Sequence, residues 1–138
     1  MYKGGCLCGK VRFEIHGKID SIVYCHCSLC RKAQGSAFAT NGVVQHENFR
    51  FLQGEDELTA FESSPGQHKL FCKHCGSPII STSTATPHEV RIRLGTIESP
   101  IEERPEAHIF AASKADWDEI RDQLPQYDGY EPGRNTEK

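Results

Sequence analysis

The chemistry-bearing residues of this chain are its seven cysteines, which fall into three groups. Cys6 and Cys8 flank Leu7, Cys25, Cys27 and Cys30 form a C-x-C-x-x-C run, and Cys72 and Cys75 form a C-x-x-C pair followed by Gly76. Two thiolates on a tight turn reach one ion, and a following glycine tolerates the backbone conformation that turns amides toward the sulfurs. Cys72 and Cys75 therefore read as half of a tetrahedral zinc site. Cys6 and Cys8 are the residues on offer for the other half, and four thiolates make a closed site of the structural kind. Such a site ties the start of the chain to its middle, a long loop closure that a crosslink stabilises.

Cys25, Cys27 and Cys30 are then left for a second ion. Three ligands on one face of a tetrahedron leave the fourth position for an exchangeable group, the arrangement of a catalytic zinc. Three thiolates on a divalent ion leave a net negative charge, so this centre is a poor Lewis acid for making hydroxide. It suits a substrate thiol, bound as thiolate and ready to attack an electrophilic carbonyl. The expectation is two zinc ions per chain, one structural and one catalytic and labile. A second structural zinc completed by a histidine is the rival reading of the three-cysteine run, a redox role is another, and other groupings of the seven are open. A thioredoxin-like role for Cys72 and Cys75 would need a β-α-β pattern around them, and none is present.

The histidines carry less. His26 and His74 sit between ligands of tight chelates and are expected to point away from the metal, while His16, His46, His68, His88 and His108 read as surface or strand residues. Ser28, Arg31, Lys32 and Gln34 suit either contact with an anionic substrate or a solvated helix face. Phe110, Trp117 and Tyr127 read as core.

The elements that must position these groups follow a β pattern. Lys10 to His16 alternates, with Val11, Phe13 and Ile15 on one face. Further strands are expected at 21–24, 37–44, 49–52, 58–62, 69–71, 78–82, 90–94 and 107–111, with Ser64-Pro65-Gly66 as a turn. In the strand at 90–94, Val90, Ile92 and Leu94 are set against Arg91 and Arg93. Ser28 to Gln34 predicts one or two helical turns ended by Gly35. Ala115 to Leu124, with Trp117, Ile120 and Leu124 at helical spacing, predicts a short amphipathic helix ended by Pro125. Many short strands with regular turn signals predict a sandwich or folded-over sheet with little helix.

A chain of 138 residues is one domain on length alone, here 1–132 with a polar tail at 133–138. The formal net charge of -3 gives no electrostatic reason to expect nucleic acid or an anionic membrane as partner. No apolar run reaches spanning length. The first residues enter the cysteine motif directly, leaving no room for a signal peptide, so a cytoplasmic location is expected. A disulfide framework normally uses an even number of cysteines and an export signal, whereas in a reducing cytosol clustered cysteines are metal ligands or catalytic thiols.

Gly4-Gly5-Cys6-Leu7-Cys8-Gly9-Lys10-Val11-Arg12, then Cys25-His26-Cys27-Ser28-Leu29-Cys30-Arg31-Lys32, then Phe71-Cys72-Lys73-His74-Cys75-Gly76-Ser77-Pro78, closely resemble the glutathione-dependent formaldehyde-activating enzyme family, which includes centromere protein V. His108-Ile109-Phe110, Ser113 to Trp117 and Leu124 to Tyr127 resemble its C-terminal end, so the likeness covers nearly the whole chain. The resemblance implies a β-tent fold of antiparallel sheets, shared with zinc-binding chaperones of small GTPases. It implies a structural zinc at Cys6, Cys8, Cys72 and Cys75, and a second zinc at Cys25, Cys27 and Cys30 that a glutathione thiol engages. The family activity is a carbon–sulfur lyase reaction joining glutathione and formaldehyde as S-hydroxymethylglutathione. A thiol or thiol adduct, glutathione among them, is therefore the expected small-molecule partner. A non-catalytic two-zinc scaffold that binds glutathione or a protein is the alternative. A methionine sulfoxide reductase would need a nucleophilic cysteine outside the metal motifs, and all seven lie within them. The substrate-binding residues and the oligomeric state are not legible.

Overall fold

The computed structural model describes residues 1–134; residues 135–138, the end of the expected polar tail, lie outside the described residues. In chain order the elements are β1 (Tyr2–Gly5), β2 (Arg12–Ile15), β3 (Asp20–Cys25), α1 (Ser28–Gln34), β4 (Ala39–Gln45), β5 (Phe49–Gln53), β6 (Leu58–Ser64), β7 (Gln67–Cys72), β8 (Pro78–Ser83), β9 (Glu89–Arg93) and β10 (Ala107–Ile109). The mainly β architecture with little helix is the one expected. A three-stranded sheet runs β1-β2-β5 and a seven-stranded sheet runs β10-β3-β4-β9-β8-β7-β6. The pairings are antiparallel except that β10 joins β3 in parallel.

Alternation builds the core. Val11, Phe13 and Ile15 are fully buried and cluster with Ile19, Ile22, Val44, Ile79, Val90 and Ile92, so residues of both sheets share one apolar core. Because side chains alternate across a strand, burying Val90 and Ile92 there sends Arg91 and Arg93 to the other face of the seven-stranded sheet. That face carries a second, smaller cluster of Val23, Cys25, Cys30, Ala39, Ala107 and Ile109, with Phe110, Tyr127 and Tyr130 packed against it.

Helix α1 forms as its sequence predicts. Cys27 is its N-cap, and its sulfur accepts a hydrogen bond from the Cys30 amide. Gly35 closes it in the left-handed conformation, φ 61°, donating to the Arg31 carbonyl.

Two expectations differ from the structure. The segment 115–124 has no helix, and Trp117 is 69% exposed rather than part of the core. An amphipathic helix this short is held by burial of its apolar face, and no face is available here. Local polar bonds hold the backbone instead: Lys114 Nζ donates to the Asp118 and Ala115 carbonyls, and the Asp122 carboxylate accepts from the Leu124 amide. Conversely, Tyr2–Gly5 is a strand that its Lys-Gly-Gly composition conceals. Pairing with β2 and a bridge from Gly4 to Ile97 hold it, and the Tyr2 hydroxyl donates to Glu103.

Candidate metal centres

The first cysteine group is assembled by two turns that approach across the fold. Cys6 follows β1, Cys72 ends β7, and the sulfurs of Cys6, Cys8, Cys72 and Cys75 all lie within 4.8 Å of one another. Cys6 and Cys8 are 3.6 Å apart, and Cys8 and Cys72 are 3.8 Å apart. The turns mirror each other: the Gly9 amide donates to the Cys6 carbonyl and the Gly76 amide to the Cys72 carbonyl. Gly76 takes φ 79°, the conformation its place after the pair called for. The Val11 amide donates to Cys6 Sγ at 3.3 Å, and the Leu7 amide to Ser77 Oγ at 2.8 Å, which fastens one turn to the other. Cys72 is fully buried while Cys8 is exposed.

The second group sits at the junction of β3 and α1. Cys25 ends the strand, Cys27 caps the helix and Cys30 lies in its first turn. Cys25 and Cys27 sulfurs are 3.5 Å apart, and no fourth cysteine, histidine or carboxylate joins the three among the described residues. His26 lies between ligands yet belongs elsewhere. It is fully buried, and its Nε2 meets His108 Nδ1 at 2.8 Å, while His108 Nε2 meets the Asp122 carboxylate at 2.9 Å. The Asp122 carboxylate accepts from His108 Nε2, the two imidazoles share one hydrogen bond between His26 Nε2 and His108 Nδ1, and burial pushes His26 down. The chain of rings anchors the Cys25–Cys27 turn from behind.

Both groups fit a soft divalent cation. All seven cysteines are unbridged, and sulfurs this close repel as thiolates. The three-cysteine group shows the consequence. Hydrogen bonds from Cys25 and Cys30 lower the Cys27 thiol to about 2, while the same contact with Cys27 raises Cys25. The three sulfurs oppose one another's ionisation, and a cation of the zinc type would stabilise all three thiolates together.

The Cys25–Cys27–Cys30 face opens into a cleft of about 500 Å³, within the range of small-molecule sites. Its charge was not foreseen. In a chain of net charge -3, Lys69, Arg91, Arg93 and Arg134 line this cleft and no acidic residue does, among the described residues. Arg93 is 4% exposed; one Nη donates to Ser81 Oγ and its Nε has no partner among the described residues. Burial lowers the Arg93 guanidinium, and the sulfurs of Cys30, Cys25 and Cys27 push it back up. Lys69 favours the Cys27 thiolate in the same way. Phe110, which lines the cleft, holds a left-handed backbone at φ 52°, a strain that native structures concentrate near sites. A smaller apolar hollow of about 290 Å³ shares Lys69 and Arg93 but contains no cysteine. Arg31, weighed as a substrate contact, donates instead to the His26 carbonyl, and Ser28, Arg31, Lys32 and Gln34 do not line the larger cleft. Arg91 and Arg93 read in sequence only as the polar half of an alternating strand. A strand with arginines opposite a core face signals a site only if that second face is itself covered, which alternation does not report.

The family model described as glutathione-dependent formaldehyde-activating enzyme matches residues 1–113. A protein of Schizosaccharomyces pombe named as an uncharacterized lyase is 26% identical over 78 residues, 56% of this chain and 55% of the relative. The chain thus spans about half the length of this relative. A crystal structure of a Rhodobacter sphaeroides protein has the same fold at a TM-score of 0.62 and 24% identity, covering 75% of this chain and 97% of that one. With three cysteine motifs gathered into two ligand clusters and the family model spanning most of its length, the chain belongs to the glutathione-dependent formaldehyde-activating enzyme family.

Proposed function

We propose that this protein is a zinc-dependent carbon–sulfur lyase acting on a thiol–aldehyde adduct such as S-hydroxymethylglutathione. The observation that carries the reading is the isolated cysteine triad: three sulfurs with no fourth ligand among the described residues, facing a cleft large enough for a small molecule. Cys6, Cys8, Cys72 and Cys75 hold a structural zinc, and Cys25, Cys27 and Cys30 hold a second, catalytic and labile one. Bound to the triad, zinc supplies the positive charge that keeps a substrate thiol in its thiolate form near neutral pH.

The chain's own residues do the rest. The triad, held from behind by His26 and His108, fixes where the substrate sulfur sits. Arg93 and Lys69 offset the negative charge gathered there, so that an incoming thiolate meets no net repulsion. Cleft walls of Ile109 and Phe110 limit water around the reacting carbon. In the cleaving direction the carbon–sulfur bond breaks, its electron pair stays on sulfur, and the adduct hydroxyl loses its proton as the aldehyde carbonyl forms. The reverse direction joins thiolate sulfur to the carbonyl carbon and returns a proton to its oxygen.

The fold reading that accompanies this is a β-tent, with one domain at 1–132 and a polar tail at 133–138. Seven unbridged thiols suit a reducing compartment, and we infer a cytoplasmic location. No helix is long and apolar enough to cross a membrane among the described residues. The test is exchange between formaldehyde, glutathione and their adduct, followed by NMR with the zinc-loaded protein. Acceleration over the protein-free rate that disappears in Cys27→Ser supports the lyase. Equal rates with and without protein would leave only a zinc scaffold.

A further inference from the structure

The cleft has more positive charge than the triad accounts for. Arg93 and Lys69 face the sulfurs, but Arg91 and Arg134 lie elsewhere on its wall. Arg91 comes from β9, and Arg134 from the C-terminal segment beyond the residues that the family model matches. That segment folds back toward the cleft: the Phe110 amide donates to the Gly129 carbonyl, and Arg134 stacks its guanidinium over the Tyr130 ring at 4.7 Å.

The two arginines line the same cleft, and after burial Arg134 is the main influence lowering Arg91. Like charges are held together in a folded protein when something anionic sits between or beside them. Part of that role is filled. Glu89 accepts from Arg91 at 3.4 Å and Glu131 accepts from Arg134 Nε at 2.6 Å. Yet Arg91 Nη1 and Arg134 Nη2 are both shielded from solvent and have no acceptor among the described residues, the second Glu131 oxygen being left unbonded as well. Buried guanidinium donors without partners are destabilising and rare in native structures. Asn41 Oδ1, on the same cleft wall, is also buried and unpartnered.

We propose that Arg91 and Arg134 form a carboxylate-binding subsite, so that the cleft selects a thiol, or thiol adduct, bearing a carboxylate over a neutral one. This rests on the triad being the site of the substrate sulfur. Glu89 and Glu131 already offset the two guanidinium charges, which leaves hydrogen-bond donors with little surplus charge. That balance suits a singly charged carboxylate better than a doubly charged phosphate, and the planar guanidinium edge matches carboxylate geometry. The specificity therefore comes from a residue pair that no cysteine motif contains.

The experiment is isothermal titration of the zinc-loaded protein with matched acids and esters: glutathione and its diethyl ester, mercaptosuccinate and its diester, and S-methylglutathione. For at least one pair, the acid is expected to bind about tenfold to a hundredfold more tightly than the ester, the range of a charge-assisted hydrogen-bonded contact. Arg134→Met, which keeps an unbranched side chain against the Tyr130 ring, removes that preference. Arg91→Met does the same, and Arg91→Lys, should the methionine variant fail to fold, weakens it by losing the planar fork. If no acid outbinds its ester, or if the preference survives in Arg134→Met and in the Arg91 variant, the subsite does not exist. If S-methylglutathione binds as well as glutathione and loses affinity in Arg134→Met, the subsite stands and the triad is not the thiol site, which separates failure of the lyase reading from failure of this one.

Discussion

Replacing Cys72 and Cys75 together by serine should destabilise the protein far more than Cys27→Ser, and loop length sets the difference. An ion held by the four-cysteine cluster joins segments as far apart as Cys8 and Cys72, which are separated by 64 residues. In the chain-entropy model, closing a loop of that length constrains the unfolded chain by about 4 kcal/mol. The cysteine triad closes only about five residues, worth about 2 kcal/mol in the same model. Cys72 is also fully buried, so a serine hydroxyl there adds the cost of a poorly satisfied polar group. The double variant should therefore lose about 2 kcal/mol more than Cys27→Ser. Urea unfolding of the zinc-loaded proteins reads this directly. At the usual slopes for small proteins the two midpoints should differ by about 1 M. Equal midpoints, with Cys27→Ser unfolding as readily as the double variant, would refute the division into a structural and an exchangeable site.

Other outcomes follow from the cleft and its supports. Arg93→Met removes a buried cation that interacts with all three triad sulfurs and should weaken zinc there about tenfold, as read by competition with a chromophoric chelator, while the four-cysteine site keeps its affinity. The Asp122 carboxyl is held below its usual range, first by the hydrogen bond from His108. A depressed carboxylate contributes stability that is complete above its unfolded value and is lost as pH falls through the lower folded value. Asp122→Asn should therefore flatten that part of the acid limb of a stability–pH curve, and an unchanged limb would show the contact to be inert. Trp117 is the single tryptophan and is mostly exposed, so its emission should be that of a hydrated indole, open to iodide quenching and unchanged on zinc removal. A blue-shifted, protected emission would restore the amphipathic helix at 115–124.

The cysteine spacings made two sulfur clusters legible because chelation is local: Cys72-x-x-Cys75 and Cys25-x-Cys27-x-x-Cys30 could each reach an ion from one turn. Alternation at Val11, Phe13 and Ile15 and at Val90 and Ile92 carried the strands, since a sheet with one buried face imposes that period on any sequence that forms it. The helix at Ser28–Gln34 was legible from its stop at Gly35, while the Cys27 cap that starts it shows only in the structure. Tertiary structure alone decided the rest. Strand β1 exists because β2 and Ile97 receive it, and 115–124 stays irregular because Lys114 and Asp122 bind its backbone and no surface receives an apolar face. Arg91, Arg93 and Lys69 became a cationic wall only when α1 and the segment around Tyr127–Tyr130 covered the second face of the sheet. A sequence states what each residue can bond to; which distant groups meet it, and whether water is present when they do, depends on packing between segments that sequence order leaves far apart.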